Sequence, residues 1–568
     1  MTRRLIALTC TALIVASLSA PATAVAAAWP DNAVKVVLDV ERLSGGNRFA
    51  TAVAIAAESY PGWTGVDRVI VSSGEDRAMA DPMAAAGLCW AYDAPLLLVT
   101  RTGVPAPTRA ALAGIVKNNP SVTVTIVGGP AAVSASCVRE LRTIVGSGNT
   151  VEQPWTTGNR YNTAASIARR MEVVASADAS LTLSSAVLVA NGTDAAGYVD
   201  ALALSAVSAR IGAPIVFVER TSVPTPTAAT IGRLKPGEVI VAGGTAVVSA
   251  AVYKALGADA RWYGANRYAT AVAIAKNARA KGWLEADWVG VAAAVPDALT
   301  GATYAGKGGA PLLYTEPSRL SELPARYLDS VEASVTGAAV FGGTSVVSEE
   351  TAAQLGGKPA APVIVDPPTG GYVAKYSKVT VRVGVNTSAL QLYSGDALII
   401  DTASGSYATV SLDRMTMPAD GISLKAVASN PEPKTATTSR TFKRLSYPAS
   451  TSIVIDKSDF RLYWVRADEL VKTYPIAIGR ASMETPEALW KILAKYKTDP
   501  AGVYGPRKMR LFRKSGDSWV YTAYGIHGTN EPWVIGTKAS HGCIRLYNSD
   551  IMALYPQVPL GTVVQTRR

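Results

Sequence analysis

Histidine is nearly missing from these 568 residues: there are two, His527 and His541, against 55 Lys and Arg and 43 Asp and Glu. Cysteine stops at four and phenylalanine at six. With no CxxC or HExxH spacing, so small a stock of His and Cys assembles no zinc site, and none is expected. GxGxxG and GKS/T are also absent, so the recurring glycine pairs do not mark a nucleotide site. Beyond the first segment no uncharged, strongly apolar run reaches 18 residues, which argues against a later membrane-spanning helix. The net charge is +12. No basic run with interleaved aromatics stands out, so nucleic acid is not the expected partner. The charge predicts long-range attraction to an anionic surface instead.

What is present begins with "MTRRLIALTCTALIVASLSAPATAVAAAWP". Two arginines, a short apolar run and small-residue sites predict a secretory signal peptide over residues 1–28, cleaved after Ala24 or Ala28. The mature chain is then expected outside the cytoplasm, with no transmembrane segment and only non-covalent attachment. It keeps Cys89, Cys137 and Cys543. Cys89 and Cys137 could pair, which their spacing leaves open, and at least one thiol remains over.

The first 355 residues repeat themselves. "RLSGGNRFATAVAIA", "WTTGNRYNTAASIA" and "RWYGANRYATAVAIA" align on Asn47, Asn159 and Asn266. Asp81, Asp200 and Asp297 each stand 14 residues before a proline, Pro95, Pro214 and Pro311. Each copy then reaches a short strand, a glycine pair and a new helix start: "VTIVGGPAAVS", "VIVAGGTAVVS" and "AAVFGGTSVVS". This predicts three tandem copies, at 36–147, 150–258 and 259–357. Within each, apolar runs such as "APLLLVT" read as strands buried on both faces, alternating with helical segments, which gives small α/β units with parallel sheets. From 361 to 447, short alternating segments broken by Gly, Asp, Asn and Pro predict an Ig-like β-sandwich spacer. The 448–568 region is mostly β and holds both histidines beside "SHGCIRL".

A thiol near a neutral imidazole can give up its proton and become a strong nucleophile. Cys543 has two imidazoles within reach of the sequence. His541 would share a face with it on an extended backbone, whereas His527 arrives from a separate segment; spacing leaves either as the base. The backbone around Gly542 and Cys543 could offer N–H groups to an oxyanion, and glycine at 542 permits a close turn.

The repeats resemble the type 2 cell-wall-binding repeat of Gram-positive surface proteins, on "NRFATAVAIA", "NRYATAVAIA" and the Asp-to-"APLLL" segments. That resemblance implies a compact array of three modules holding an anionic secondary wall polymer, with Pro95 to Leu98, Pro214 to Phe217 and Pro311 to Tyr314 as polymer candidates. "IHGTN" followed by "SHGCIRLYNSDIMALYPQVPLGTVV" resembles the L,D-transpeptidase (YkuD-like) catalytic domain. That resemblance implies acyl transfer without metal or organic cofactor on peptidoglycan stem peptides, releasing D-Ala and forming 3→3 cross-links. It implies Cys543 as nucleophile, His527 as base and the Gly528 carbonyl as its orienter. Ser540, His541 and Gly542 would shape the nucleophile turn, Arg545 would hold a substrate carboxylate and Tyr524 would line the donor site. One departure stands out: the family's "TPxGxF" reads "TPEALW" here, with Ala488 for the glycine and Trp490 at the aromatic position. The expected protein is thus a secreted, wall-bound transpeptidase. The alternatives are an L,D-carboxypeptidase, a surface binding protein whose last domain is inactive, and a plain cysteine protease.

Overall fold

Each "NR" segment starts a helix because its asparagine caps one. Asn47 accepts the Phe49 and Ala50 N–H groups ahead of helix Arg48–Ser59. Asn159 and Asn266 do the same for Arg160–Ala177 and Arg267–Ala280, satisfying amides that the first helical turn leaves unpaired. The computed structural model describes residues 30–155, 158–193, 195–368, 371–432 and 434–568, so the expected signal peptide lies outside the described residues. Among them, no helix is long and apolar enough to cross a membrane.

Three four-stranded sheets follow, and each takes its last strand from beyond the expected repeat. The first sheet runs Leu96–Val99, Arg68–Ser73, Thr123–Val127, Thr150–Glu152, all parallel. The second runs Ile215–Val218, Ala186–Asn191, Glu238–Ala242, Ala260–Trp262. The third has Leu312–Tyr314, Trp288–Ala292 and Gly337–Phe341, and its fourth strand is the first of the chain, Asp39–Leu43. Register runs from Asp39 opposite Gly337 to Leu43 opposite Phe341. The three units therefore close into a ring, and excising any one of the expected repeats, 36–147, 150–258 or 259–357, would part its sheet from its edge strand.

The alanine richness has a cause at the middle of this ring. Helices Ala80–Tyr92, Ala195–Ile211 and Val295–Lys307 bury Met83, Leu88, Leu202, Val207, Leu299 and Ala302 in one shared core. Their backbones come so close that a Cβ on Gly306 would overlap the Ala206 carbonyl oxygen. The repeated aspartates join neighbouring units. Asp81 faces Arg160 and Thr163 of the second unit, and Asp297 faces Thr51 and Arg48 of the first. Burial pushes Asp81 up to about 6 although Arg160 pulls the other way. The "APLLL"-type segments are buried strands throughout, so polymer contacts do not fall on their leucines: Leu96, Leu97 and Leu98 are at most 1% exposed. Cys89 and Cys137 are both free and lie in different cores, so they form no disulfide. Burial pushes each thiol up to about 12.

Between 363 and 444 two sheets face each other across Ile364, Val381, Leu392, Leu424 and Phe442. One contains Val363–Asp366, Tyr376–Arg382 and Thr409–Thr416; the other orders Tyr372–Val373, Thr435–Arg444, Ile422–Ser429, Ala389–Ser394, Ala397–Ala403. Asn386, fully buried, ties this region to the ring: its amide accepts from Val36 N–H at 2.8 Å and donates to the Gln354 carbonyl at 2.8 Å. The first sheet continues through Tyr376 opposite Glu469 into the C-terminal sheet. That sheet ends with Arg507–Ser515, Ser518–His527 and Ile544–Arg545. Its core holds Trp464, Trp490, Ile492 and Leu511.

Candidate active site

The edge of the C-terminal sheet brings the reactive groups together. Strands Ser518–His527 and Ile544–Arg545 run parallel, with His527 opposite Arg545. Cys543 immediately precedes the second of these strands, so the thiol and the imidazole stand at the same sheet edge. His527 is 2% exposed. Its Nδ1 lies 2.5 Å from the Gly528 carbonyl oxygen. A carbonyl only accepts, so Nδ1 carries the proton and Nε2 keeps its lone pair. Burial pushes the imidazole down to about 4, helped by the positive charges of Lys508, Arg545 and Arg510 and opposed by the Gly528 bond. It is neutral at physiological pH. The Tyr504 ring meets it edge-on at 5.0 Å, and Lys508 Nζ sits 3.4 Å from the centre of that ring.

The half-buried Cys543 thiol donates to the Ala523 carbonyl at 3.8 Å, and no Cys543–His527 hydrogen bond is formed among the described residues. The turn before it is firmly built. Gly542 has φ +100, and a Cβ there would overlap the Tyr524 ring, which packs edge-on against buried Trp490 at 5.4 Å. Ser540 Oγ donates to the Cys543 carbonyl at 2.6 Å and accepts the Gly542 N–H at 3.1 Å. Thr485 Oγ1 accepts the Gly479 N–H and donates to the Gly542 carbonyl, each at 2.9 Å.

These contacts revise several expectations. Ser540, assigned to the nucleophile turn and also considered for substrate binding, is 1% exposed with its hydroxyl engaged twice within that turn. The Gly542 N–H is taken by Ser540, leaving Cys543's own N–H as the free donor of the pair considered for an oxyanion. His541 is exposed on the bend and orients nothing within hydrogen-bonding reach among the described residues. Arg545 pairs through one guanidinium nitrogen with Glu531 at 2.5 Å. One face of Tyr524 is spent on Gly542 and Trp490. Glu531, Tyr504 and Lys508 were not singled out by the sequence, because only folding brings them to His527 and Arg545. Behind the turn, Thr485, Gly479, Lys457, Lys538 and Arg568 line a cleft of about 350 Å³.

A buried imidazole protonated on Nδ1 and a half-buried thiol thus stand at one sheet edge, in a domain that follows a triplicated α/β ring. Residues 42–138, 156–253 and 261–352 match cell wall binding domain 2 (CWB2), and residues 450–565 match the L,D-transpeptidase catalytic domain. The chain belongs to the CWB2 family through its three repeats and carries an L,D-transpeptidase (YkuD) catalytic domain after them. It is similar to the N-acetylmuramoyl-L-alanine amidase LytC of Bacillus subtilis, 30% identical over 58% of this chain and 59% of that protein. Its last domain is similar to the putative L,D-transpeptidase YkuD of Bacillus licheniformis, 38% identical over 21% of this chain and 64% of that protein. The chain thus spans less than two thirds of either relative. Among solved structures, Cwp6 from Clostridium difficile aligns with TM-score 0.48 and 25% identity over 58% of this chain and 50% of that one.

Proposed function

We propose that this protein is a secreted, wall-retained peptidoglycan L,D-transpeptidase of a Gram-positive bacterium, with Cys543 as nucleophile and His527 as general base. The observation that carries the reading is the Nδ1–H bond from His527 to Gly528, which leaves Nε2 with its lone pair at the sheet edge where Cys543 enters the strand paired with His527. Nε2 takes the thiol proton as sulfur bonds to the carbonyl carbon preceding the terminal D-Ala of a stem tetrapeptide. The C–N bond then breaks, and the imidazolium returns the proton to the departing D-Ala amine. A side-chain amine of a neighbouring stem attacks the thioester, gives its proton to His527 and releases the thiol, leaving a 3→3 cross-link. Arg545 holds a substrate carboxylate after Glu531 swings aside, and Tyr524 lines the donor side. The repeats hold an anionic wall polymer, a reading supported by the net charge of +12 and by the CWB2 match.

Incubating the full chain with a disaccharide-tetrapeptide and reading muropeptides by mass spectrometry tests this. Release of D-Ala with a 3→3 dimer is expected, both lost in Cys543→Ala. D-Ala release without dimer reassigns the protein as an L,D-carboxypeptidase. No product and no Cys543 thioester adduct leaves a wall-binding protein with an inactive last domain, the reading that the thiol's bond to Ala523 favours.

A further inference from the structure

We propose that Thr485 is a positioning residue that aims the Cys543 N–H at the oxyanion of the acyl-transfer step, an inference that rests on the function proposed above. The Gly542 carbonyl and the Cys543 N–H belong to one trans peptide unit, so they point in opposite directions. Thr485 Oγ1 holds that carbonyl at 2.9 Å; the residue is 2% exposed, and its hydroxyl is itself fixed by the Gly479 N–H at 2.9 Å. Anchoring one end of the peptide plane inward turns the other outward, toward the face where the thiol sits. Ser540 removes the competing donor by accepting the Gly542 N–H, and the Cys543 N–H has no acceptor among the described residues. A positive φ at Gly542 lets the plane take this orientation.

When the sulfur–carbon bond forms, the carbonyl π pair moves onto oxygen, and a preset N–H lowers the cost of that charge. Collapse restores the C=O bond and expels the amine with the proton that His527 carries. Thr485 touches no reacting atom; it acts only through the peptide plane. The segment that departs from the family pattern, "TPEALW", therefore retains the one side chain this role needs, while Ala488 and Trp490 bond to Thr566 instead.

The role separates from simple support of the turn by comparing two reactions of Cys543 in the full-length protein. Acylation by a carbapenem passes through an oxyanion, whereas alkylation by iodoacetamide does not. Thr485→Val, which keeps shape and loses the hydroxyl, is expected to slow acylation and D-Ala release about 10- to 100-fold. Alkylation of Cys543 should stay within about twofold, and Thr485→Ser should restore acylation to within about threefold. The buried Cys89 and Cys137 remain unalkylated if the variant is folded; should valine unfold the domain, Thr485→Ala is read the same way. Equal slowing of both reactions, or of neither, overturns the assignment. A parent protein that alkylates but is acylated by no carbonyl donor overturns the transpeptidase reading as well, a result distinct from an active parent matched by its valine variant.

Discussion

The ring of repeats and the catalytic domain use buried polar groups in opposite ways. In the ring each device recurs: three asparagine caps, three repeated aspartates of which Asp81 and Asp200 are buried and Asp297 half-buried, and three sheets completed by a neighbour. In the catalytic domain each occurs once, and they are chained: Trp490 supports Tyr524, Tyr524 closes on Gly542, and Thr485 and Ser540 fix the peptides on either side. Recurrence spreads the consequence of a defect over the array, while a chain of single contacts passes it to the nucleophile. The ring is thus suited to holding on, and the sheet edge to keeping one geometry.

The largest contrast should come from substituting one residue of each kind. Gly542→Ala brings both a disfavoured positive φ and a collision with Tyr524, so D-Ala release is expected to fall at least ~100-fold, the scale of a lost oxyanion donor. Asn47→Ala removes one of three caps and should cost about 1 kcal/mol of stability with wall binding retained. Comparable losses from the two variants, in turnover and in sacculus pull-down, would end the distinction.

Next in size is the ring's one strand link between segments far apart in the chain. Asp39–Leu43 closes the first unit onto the third, and Leu43 enters the shared core. Starting the chain at residue 45 removes this strand and exposes the edge of Gly337–Phe341. Hydrogen exchange across 288–341 should accelerate by orders of magnitude while 68–127 changes little, since lost burial and pairing act locally. Uniform protection would mean that the ring does not depend on closure.

Much of this was legible in the sequence wherever the signal was local or repeated. The triplicated Asn and Asp positions and the parallel α/β units follow from short motifs, and the His527–Gly528 bond is what the family resemblance of "IHGTN" implied. What escaped depends on distance along the chain. Asp39 meets Gly337, Thr485 reaches Gly542, and Glu531 takes Arg545, and no periodicity encodes such pairs. The polymer candidates failed for a different reason. A run apolar enough to be buried on both faces of a sheet has no side chain left for a ligand, so strand character and polymer contact excluded each other at Leu96, Leu97 and Leu98.

The remaining contrast is one of sign, because pH acts in opposite directions on the two regions. His527 has a folded value of about 4, below its ordinary 6.5, so the unfolded chain binds the extra proton between those values. The catalytic domain therefore loses stability as pH falls from about 6.5 toward 4, by on the order of 3 kcal/mol. Asp81 has a folded value of about 6 against 3.8, so here the folded chain holds the extra proton. Its contribution is complete below about 3.8 and is lost as pH rises through about 6, again by on the order of 3 kcal/mol. Acidification from pH 6 to 4.5 should accordingly raise exchange protection around Ala80–Tyr92 and lower it around Ser518–His527. Asp81→Asn, which cannot ionise, should flatten the first trend alone, and His527→Gln the second alone. If both regions moved together with pH, or if either substitution flattened both trends, the two buried groups would not be the independent proton sites that their separate cores imply.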